Sequence, residues 1–194
     1  MLSWAGLAHM NLPNSLSVTR IFLVPLLVVV LLTKFEGRMI LGVRKELIGA
    51  AIFGVASLTD WLDGYLARRR GQVTALGQFI DPFADKLLTI AAFISLVQMD
   101  LAPAWMVAII VGREFAVTAL RALAHAQGAP MPASPLGKIK MVAQVVAILA
   151  LILGKDHLHG FAVIGQVALW VVVLTALASA ADYFRRFGPL MLQR

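Results

Sequence analysis

Asp60-Trp61-Leu62-Asp63-Gly64-Tyr65-Leu66-Ala67-Arg68, then after eight residues Gly77-Gln78-Phe79-Ile80-Asp81-Pro82-Phe83-Ala84-Asp85, holds four of the ten acidic residues in the chain. These acids sit at the ends of two strongly apolar segments, 46–67 and 83–99. A carboxylate in an apolar helix is costly and marks a functional site by default. At about 100° per residue, Asp60, Asp63, Gly64 and Ala67 share roughly one third of a helix circumference. Gly77, Asp81 and Asp85 form a second stripe at i, i+4, i+8. If the loop at 69–75 closes an antiparallel pair, the two stripes face each other and four carboxylates meet.

Four like charges at close range do not all stay ionised without counter-charge. Hard oxygen ligands gathered this way suit Mg²⁺ or Mn²⁺. The small residues Gly64, Ala67 and Gly77 leave room for a bulky ligand near the backbone. Arg68 adds a fixed positive charge beside the acids.

The rest of the composition places this constellation in a membrane. Of 194 residues, 60% are hydrophobic and 14% charged, and the mean hydropathy is +0.87. A soluble domain carries about 25% charged residues. The apolar residues come in long runs, with room for about six spans of ~20 residues each. The expectation is an all-α polytopic membrane protein, one domain over 1–194, with a short interfacial helix at 1–12. The chain has no cysteine, which removes disulfides and thiolate chemistry. The net charge of +7 is dispersed between spans. That pattern fits basic loops against anionic membrane lipids and argues against nucleic acid.

The expected spans are 16–34, 46–67, 77–99, 103–126, 138–153 and 160–183. A polar loop is expected at 34–45. Asp100 and Pro103 mark a short turn, and His125, His157 and His159 read as loop histidines. The run Arg68-Arg69-Arg70 puts the acidic motif on the cytoplasmic side by the positive-inside rule. Basic residues Lys34, Arg38, Arg44 and Lys45 then fall outside, against the same rule. Arg20 lies deep in the first span, where it either snorkels to lipid phosphate or meets a substrate phosphate or the acids. Arg113, Glu114 and Arg121 interrupt the fourth span. Arg113 and Glu114 are adjacent, so they point about 100° apart and are not expected simply to neutralise each other. Lys138 and Lys140 open the fifth span, and Gln144 lies within it.

These residues describe a chemistry. Carboxylates hold a divalent metal, and the metal holds a diphosphate. Arg113, Arg121, Lys138 and Lys140 hold a second anion. A remaining carboxylate accepts a proton from an attacking hydroxyl. A transporter using intramembrane charge, or a purely structural membrane protein, are the readings from other classes.

The spacing D-x-x-D-G-x-x-A-R, eight residues, G-x-x-x-D-x-x-x-D resembles the signature of the CDP-alcohol phosphatidyltransferases. Asp60, Asp63, Gly64, Ala67, Arg68, Gly77, Asp81 and Asp85 match each fixed position. The resemblance implies that CDP-diacylglycerol donates a phosphatidyl group to an alcohol and CMP leaves. It implies Asp60, Asp63 and Asp81 as metal ligands, and Asp85 as a ligand or the catalytic base. Asp60, Asp63, Gly64, Ala67 and Arg68 would line the CDP-diacylglycerol pocket, with Gly77 allowing close packing. Asn11 to Arg20, Gly112-Arg113-Glu114, Leu120-Arg121 and Ser134 through Lys140 with Gln144 are similar to the bacterial branch whose acceptor is sn-glycerol 3-phosphate. Arg20, Arg113, Arg121, Lys138 and Lys140 would bind the acceptor phosphate. Ala122 departs from that branch where an acid is common, and Met141 where Thr is common. Serine, inositol phosphate and phosphatidylglycerol stay open as acceptors. The resemblance also implies a homodimer in the bacterial inner membrane, with its site facing the cytoplasm.

Overall fold

A computed structural model describes the backbone of residues 12–33, 39–40, 42–70, 75–126, 135–154 and 159–192. Side chains are described within those ranges except at 12–18, 60–70, 75–82, 123, 125–126, 135–136, 138, 159, 184 and 186–192. The interfacial helix expected at 1–12 falls almost wholly outside the described residues. Among those described, the elements are α1 (Leu12–Leu32), β1 (Met39–Ile40), β2 (Val43–Arg44), α2 (Lys45–Arg70), α3 (Ala75–Gln98), α4 (Ala104–Ala126), α5 (Pro135–Gly154) and α6 (His159–Leu192). Each expected span coincides with one helix. The chain divides into two compact units, Met1–Ser95 and Leu96–Arg194.

In the first unit α1 packs on α2. Pro13 falls in the first turn of α1, where its missing N–H costs nothing. Leu27, Val30 and Leu31 of α1 and Ala50, Phe53 and Ala56 of α2 are buried. The expected polar loop at 34–45 is corrected in part. A small antiparallel hairpin pairs Met39 with Arg44 and Ile40 with Val43. Gly42 turns it with φ 78°, a backbone region that only glycine enters at no steric cost. Lys45 then reaches back to α1, where its Nζ donates to the Leu31 carbonyl at 2.9 Å and the Thr33 carbonyl at 3.0 Å. These are carbonyls that the end of a helix leaves without an intrahelical partner. Glu46 lies in the first turn of α2, at the positive end of the helix dipole.

In the second unit the turn after α3 is a Schellman motif. Leu101 N–H donates to the Leu96 carbonyl at 2.9 Å and Asp100 N–H to the Val97 carbonyl at 3.0 Å. Asp100 takes the left-handed position, φ 59°, in the turn expected from sequence. α6 packs along α5 and against α4. Ile148, Leu151 and Ile152 of α5 and Leu169, Val172 and Val173 of α6 are fully or almost fully buried. Gly165 lets α5 and α6 close up, since a Cβ there would lie 2.8 Å from Leu151 Cδ2 and 2.9 Å from its backbone nitrogen. Trp105 and Trp170 meet edge to face, 5.8 Å between ring centres.

The outer surface is apolar. Phe22, Val55, Phe115, Val142 and Val163 are each more than 60% exposed. In water such a surface is a liability; against lipid it is solvated. Gly160–Tyr183 is, among the described residues, the one helix long and apolar enough to cross a membrane. Thr19–Leu32 and Ile139–Gly154 are apolar but shorter. α2 and α4 carry charges within their apolar lengths, which lowers their hydropathy below that of α6.

Candidate active site

The acidic motif lies on two successive helices, as its spacing requires. α2 runs unbroken through Asp60, Asp63, Gly64, Ala67 and Arg68 to Arg70. α3 begins at Ala75 and carries Gly77, Asp81 and Asp85 in its first three turns. Asp60 and Asp63 are therefore one turn apart, and so are Asp81 and Asp85. Only the four residues 71–74 separate the helices, so Arg70 and Ala75 lie within about 18 Å of each other at full extension. The side chains of Asp60, Asp63, Gly64, Ala67, Arg68, Gly77 and Asp81 lie outside the described residues. Asp85 is half-buried. It adjoins the stripe Ala84, Leu88, Ala92 and Leu96, which is almost fully buried. Among the described residues no group of three or more Asp, Glu or His side chains is gathered that could hold a metal ion. The donor set of the motif, hard carboxylate oxygens on two continuous helical stripes, fits Mg²⁺ or Mn²⁺.

Arg20 is 2% exposed, on α1 in the first unit. A snorkelling arginine would run out toward the headgroups. This one is enclosed by protein, so the snorkelling reading is set aside.

The downstream charges converge on one place in the second unit. Arg113 donates from Nη1 to Glu114 Oε1 at 3.2 Å and from Nη2 to Ser179 Oγ at 2.5 Å. Lys140 of α5 forms an ion pair with the same Glu114 oxygen. Arg121, two turns beyond Arg113, donates from Nη2 to the Tyr183 hydroxyl at 2.5 Å. The Tyr183 ring packs with Val117 and Leu120, which lie between the arginines on α4. Gln144 is buried one turn after Lys140. Its Nε2, and Nε of both Arg113 and Arg121, have no hydrogen-bond partner among the described residues. The Lys138 side chain lies outside the described residues.

Two sequence expectations change here. Arg113 and Glu114 do meet, because the long guanidinium arm reaches round the helix although the Cα–Cβ bonds diverge. Ser179 and Tyr183 escaped the sequence reading altogether. Their signal was faint, two hydroxyls four residues apart near the end of an apolar span. Arg185, just beyond, is exposed.

Among the described residues, three cations, Arg113, Arg121 and Lys140, gather in one place, two of them on the Glu114 carboxylate. Buried charge is tolerated only when balanced. The gathered cations and the buried N–H donors both fit an anionic ligand.

Residues 10–178 match the sequence profile of the CDP-alcohol phosphatidyltransferases. The chain belongs to the CDP-alcohol phosphatidyltransferase family. It is 45% identical over 185 residues to the CDP-diacylglycerol–glycerol-3-phosphate 3-phosphatidyltransferase of Bacillus subtilis (strain 168), covering 91% of this chain and 94% of that protein. Proteins of the same name from Rickettsia typhi and Pseudomonas fluorescens are 34% and 32% identical, over 90% and 93% of this chain and 96% and 91% of their own lengths. Membership in this transferase family sets aside the transporter and the purely structural readings.

Proposed function

We propose that this CDP-alcohol phosphatidyltransferase moves the phosphatidyl group of CDP-diacylglycerol to sn-glycerol 3-phosphate, giving phosphatidylglycerophosphate and CMP. The observation that carries the acceptor assignment is the gathering of Arg113, Arg121 and Lys140 in one place. A phosphate monoester brings two negative charges near neutral pH. Serine brings an ammonium as well, which this cluster repels. The relatives named above point to the same acceptor.

In this reading Asp60, Asp63 and Asp81 hold Mg²⁺ or Mn²⁺, and Asp85 beside them serves as the base. When bound, the ion screens the diphosphate and stabilises charge on the departing CMP. Asp60, Asp63, Gly64, Ala67, Arg68 and Gly77 form the CDP-diacylglycerol pocket. Arg20, Arg113, Arg121, Lys138 and Lys140 hold the acceptor phosphate and leave its far hydroxyl free to react. Asp85 takes the proton of that hydroxyl as its oxygen bonds to the phosphatidyl phosphorus. The bond from phosphorus to the CMP oxygen breaks, and CMP carries away the electron pair. The setting is a single six-span domain in the bacterial inner membrane, as a homodimer, with the site open to the cytoplasm.

The test is a washed-membrane assay with CDP-diacylglycerol and a panel of acceptors. Glycerol 3-phosphate is expected to be used far faster than serine, inositol phosphate or phosphatidylglycerol. Faster turnover of any of those would reject the acceptor assignment.

A further inference from the structure

We propose that Ser179 and Tyr183 of α6 are positioning residues that gather the Arg113 and Arg121 guanidiniums into a two-point clamp for the acceptor's phosphate. This rests on the acceptor reading above. Neither residue lies within 10–178, the stretch that matches the family.

The spacing carries the argument. Arg113 and Arg121 are eight residues apart on α4, a rise of about 12 Å. Ser179 and Tyr183 are four residues apart on α6, about 6 Å. Yet each arginine donates Nη2 to one of these hydroxyls at 2.5 Å. The two guanidiniums are thus tied to anchor points half as far apart as their own backbones. Like charges resist being drawn together, so something must hold them.

The chemistry of the holders matters as much. A carboxylate in either place would cancel charge, as Glu114 does for Arg113 and Lys140. A hydroxyl accepts the N–H and remains neutral. Neither hydroxyl cancels an arginine's charge, and Nε of each remains a buried donor with no hydrogen-bond partner among the described residues. Buried donors of this kind call for an acceptor, and a phosphate oxygen supplies it. α6 is suited to the task because its helix continues from Tyr183 to Leu192. The hydroxyls therefore sit on a continuous rod, not at a frayed end.

Tyr183→Phe and Ser179→Ala each remove an oxygen and little else; the phenyl ring keeps its packing with Val117 and Leu120. Each is expected to raise KM for glycerol 3-phosphate about tenfold, the size of one lost hydrogen bond to a charged group. KM for CDP-diacylglycerol and the melting temperature in detergent stay within error, and Ser179→Thr restores the acceptor KM. Equilibrium binding of glycerol 3-phosphate to the full-length protein in chelator weakens in parallel. Because Tyr183 acts through Arg121, Tyr183→Phe adds nothing further in an Arg121→Ala background. An unchanged acceptor KM in the folded double variant overturns the proposal. So do additive losses with Arg121→Ala, or equal rises in KM for both substrates. The acceptor panel on unaltered protein is run first. If it selects another acceptor, the functional reading fails by itself, and the clamp is judged by the KM of the phosphate-bearing acceptor that is used.

Discussion

Arg121 and Tyr183 are joined twice. The guanidinium Nη2 donates to the tyrosine hydroxyl at 2.5 Å, and the guanidinium carbon lies 5.4 Å from the centre of the same ring. A planar, delocalised cation serves both contacts at once; a compact ammonium cannot.

Arg121→Lys should therefore behave as a loss, although charge is kept. The expected rise in KM for glycerol 3-phosphate is one to two orders of magnitude, corresponding to roughly 1.5–3 kcal/mol for a lost charge-assisted contact. Steady-state kinetics with each substrate varied in turn checks it. A lysine variant with unaltered acceptor KM would show that charge alone suffices.

Glu114 takes the opposite role, because its single oxygen Oε1 joins Arg113 of α4 to Lys140 of α5. Removing one partner from a buried pair leaves charge uncompensated, at a cost of about 3–5 kcal/mol. Glu114→Gln should lower the melting temperature in detergent, and saturating glycerol 3-phosphate should recover part of the loss by supplying the missing negative charge. Equal destabilisation with and without the acceptor would separate this pair from the phosphate site.

Metal removal and base removal should look different. Chelator is expected to abolish turnover, and Mg²⁺ or Mn²⁺ to restore it. Asp85→Asn should bind CDP-diacylglycerol yet turn over at least 100-fold more slowly, since general-base catalysis contributes about 10²–10⁴-fold. Asp81→Asn should instead raise the metal concentration needed for half-maximal rate. If Asp85→Asn recovers its full rate at high metal, Asp85 is a ligand and the base lies elsewhere.

Gly165→Val tests the packing of the second unit. Its Cβ would meet Leu151 at 2.8–2.9 Å, partly against backbone that cannot rotate away. Overpacking of this kind costs about 1–3 kcal/mol, readable as a lower melting temperature. Gly160→Ala, in open space, is the matched control.

The six helices were legible because each is a long apolar run bounded by loop residues, and the Schellman turn at Asp100 was marked by a polar residue just ahead of Pro103. The acidic motif was legible because fixed i, i+3 and i, i+4 spacings on a helix translate directly into a shared face. The hairpin at 39–44 was not, since four residues of paired strand leave no alternating pattern to detect. The contact between Arg113 and Glu114 was hidden by side-chain length, which helical-wheel reasoning ignores. Ser179 and Tyr183 were hidden for another reason. A hydroxyl in an apolar span reads as tolerated polarity until the arginine that it faces, more than sixty residues away in sequence, is known.

Lys45 has a practical consequence. By holding the Leu31 and Thr33 carbonyls itself, it fastens the end of α1 to the start of α2. An epitope or a single cysteine inserted within residues 35–37 should leave that junction intact. Labelling such an insertion from either side of sealed cells, in a protein that has no cysteine of its own, turns the fastened junction into a reporter of whether, and in which direction, the chain crosses a bilayer.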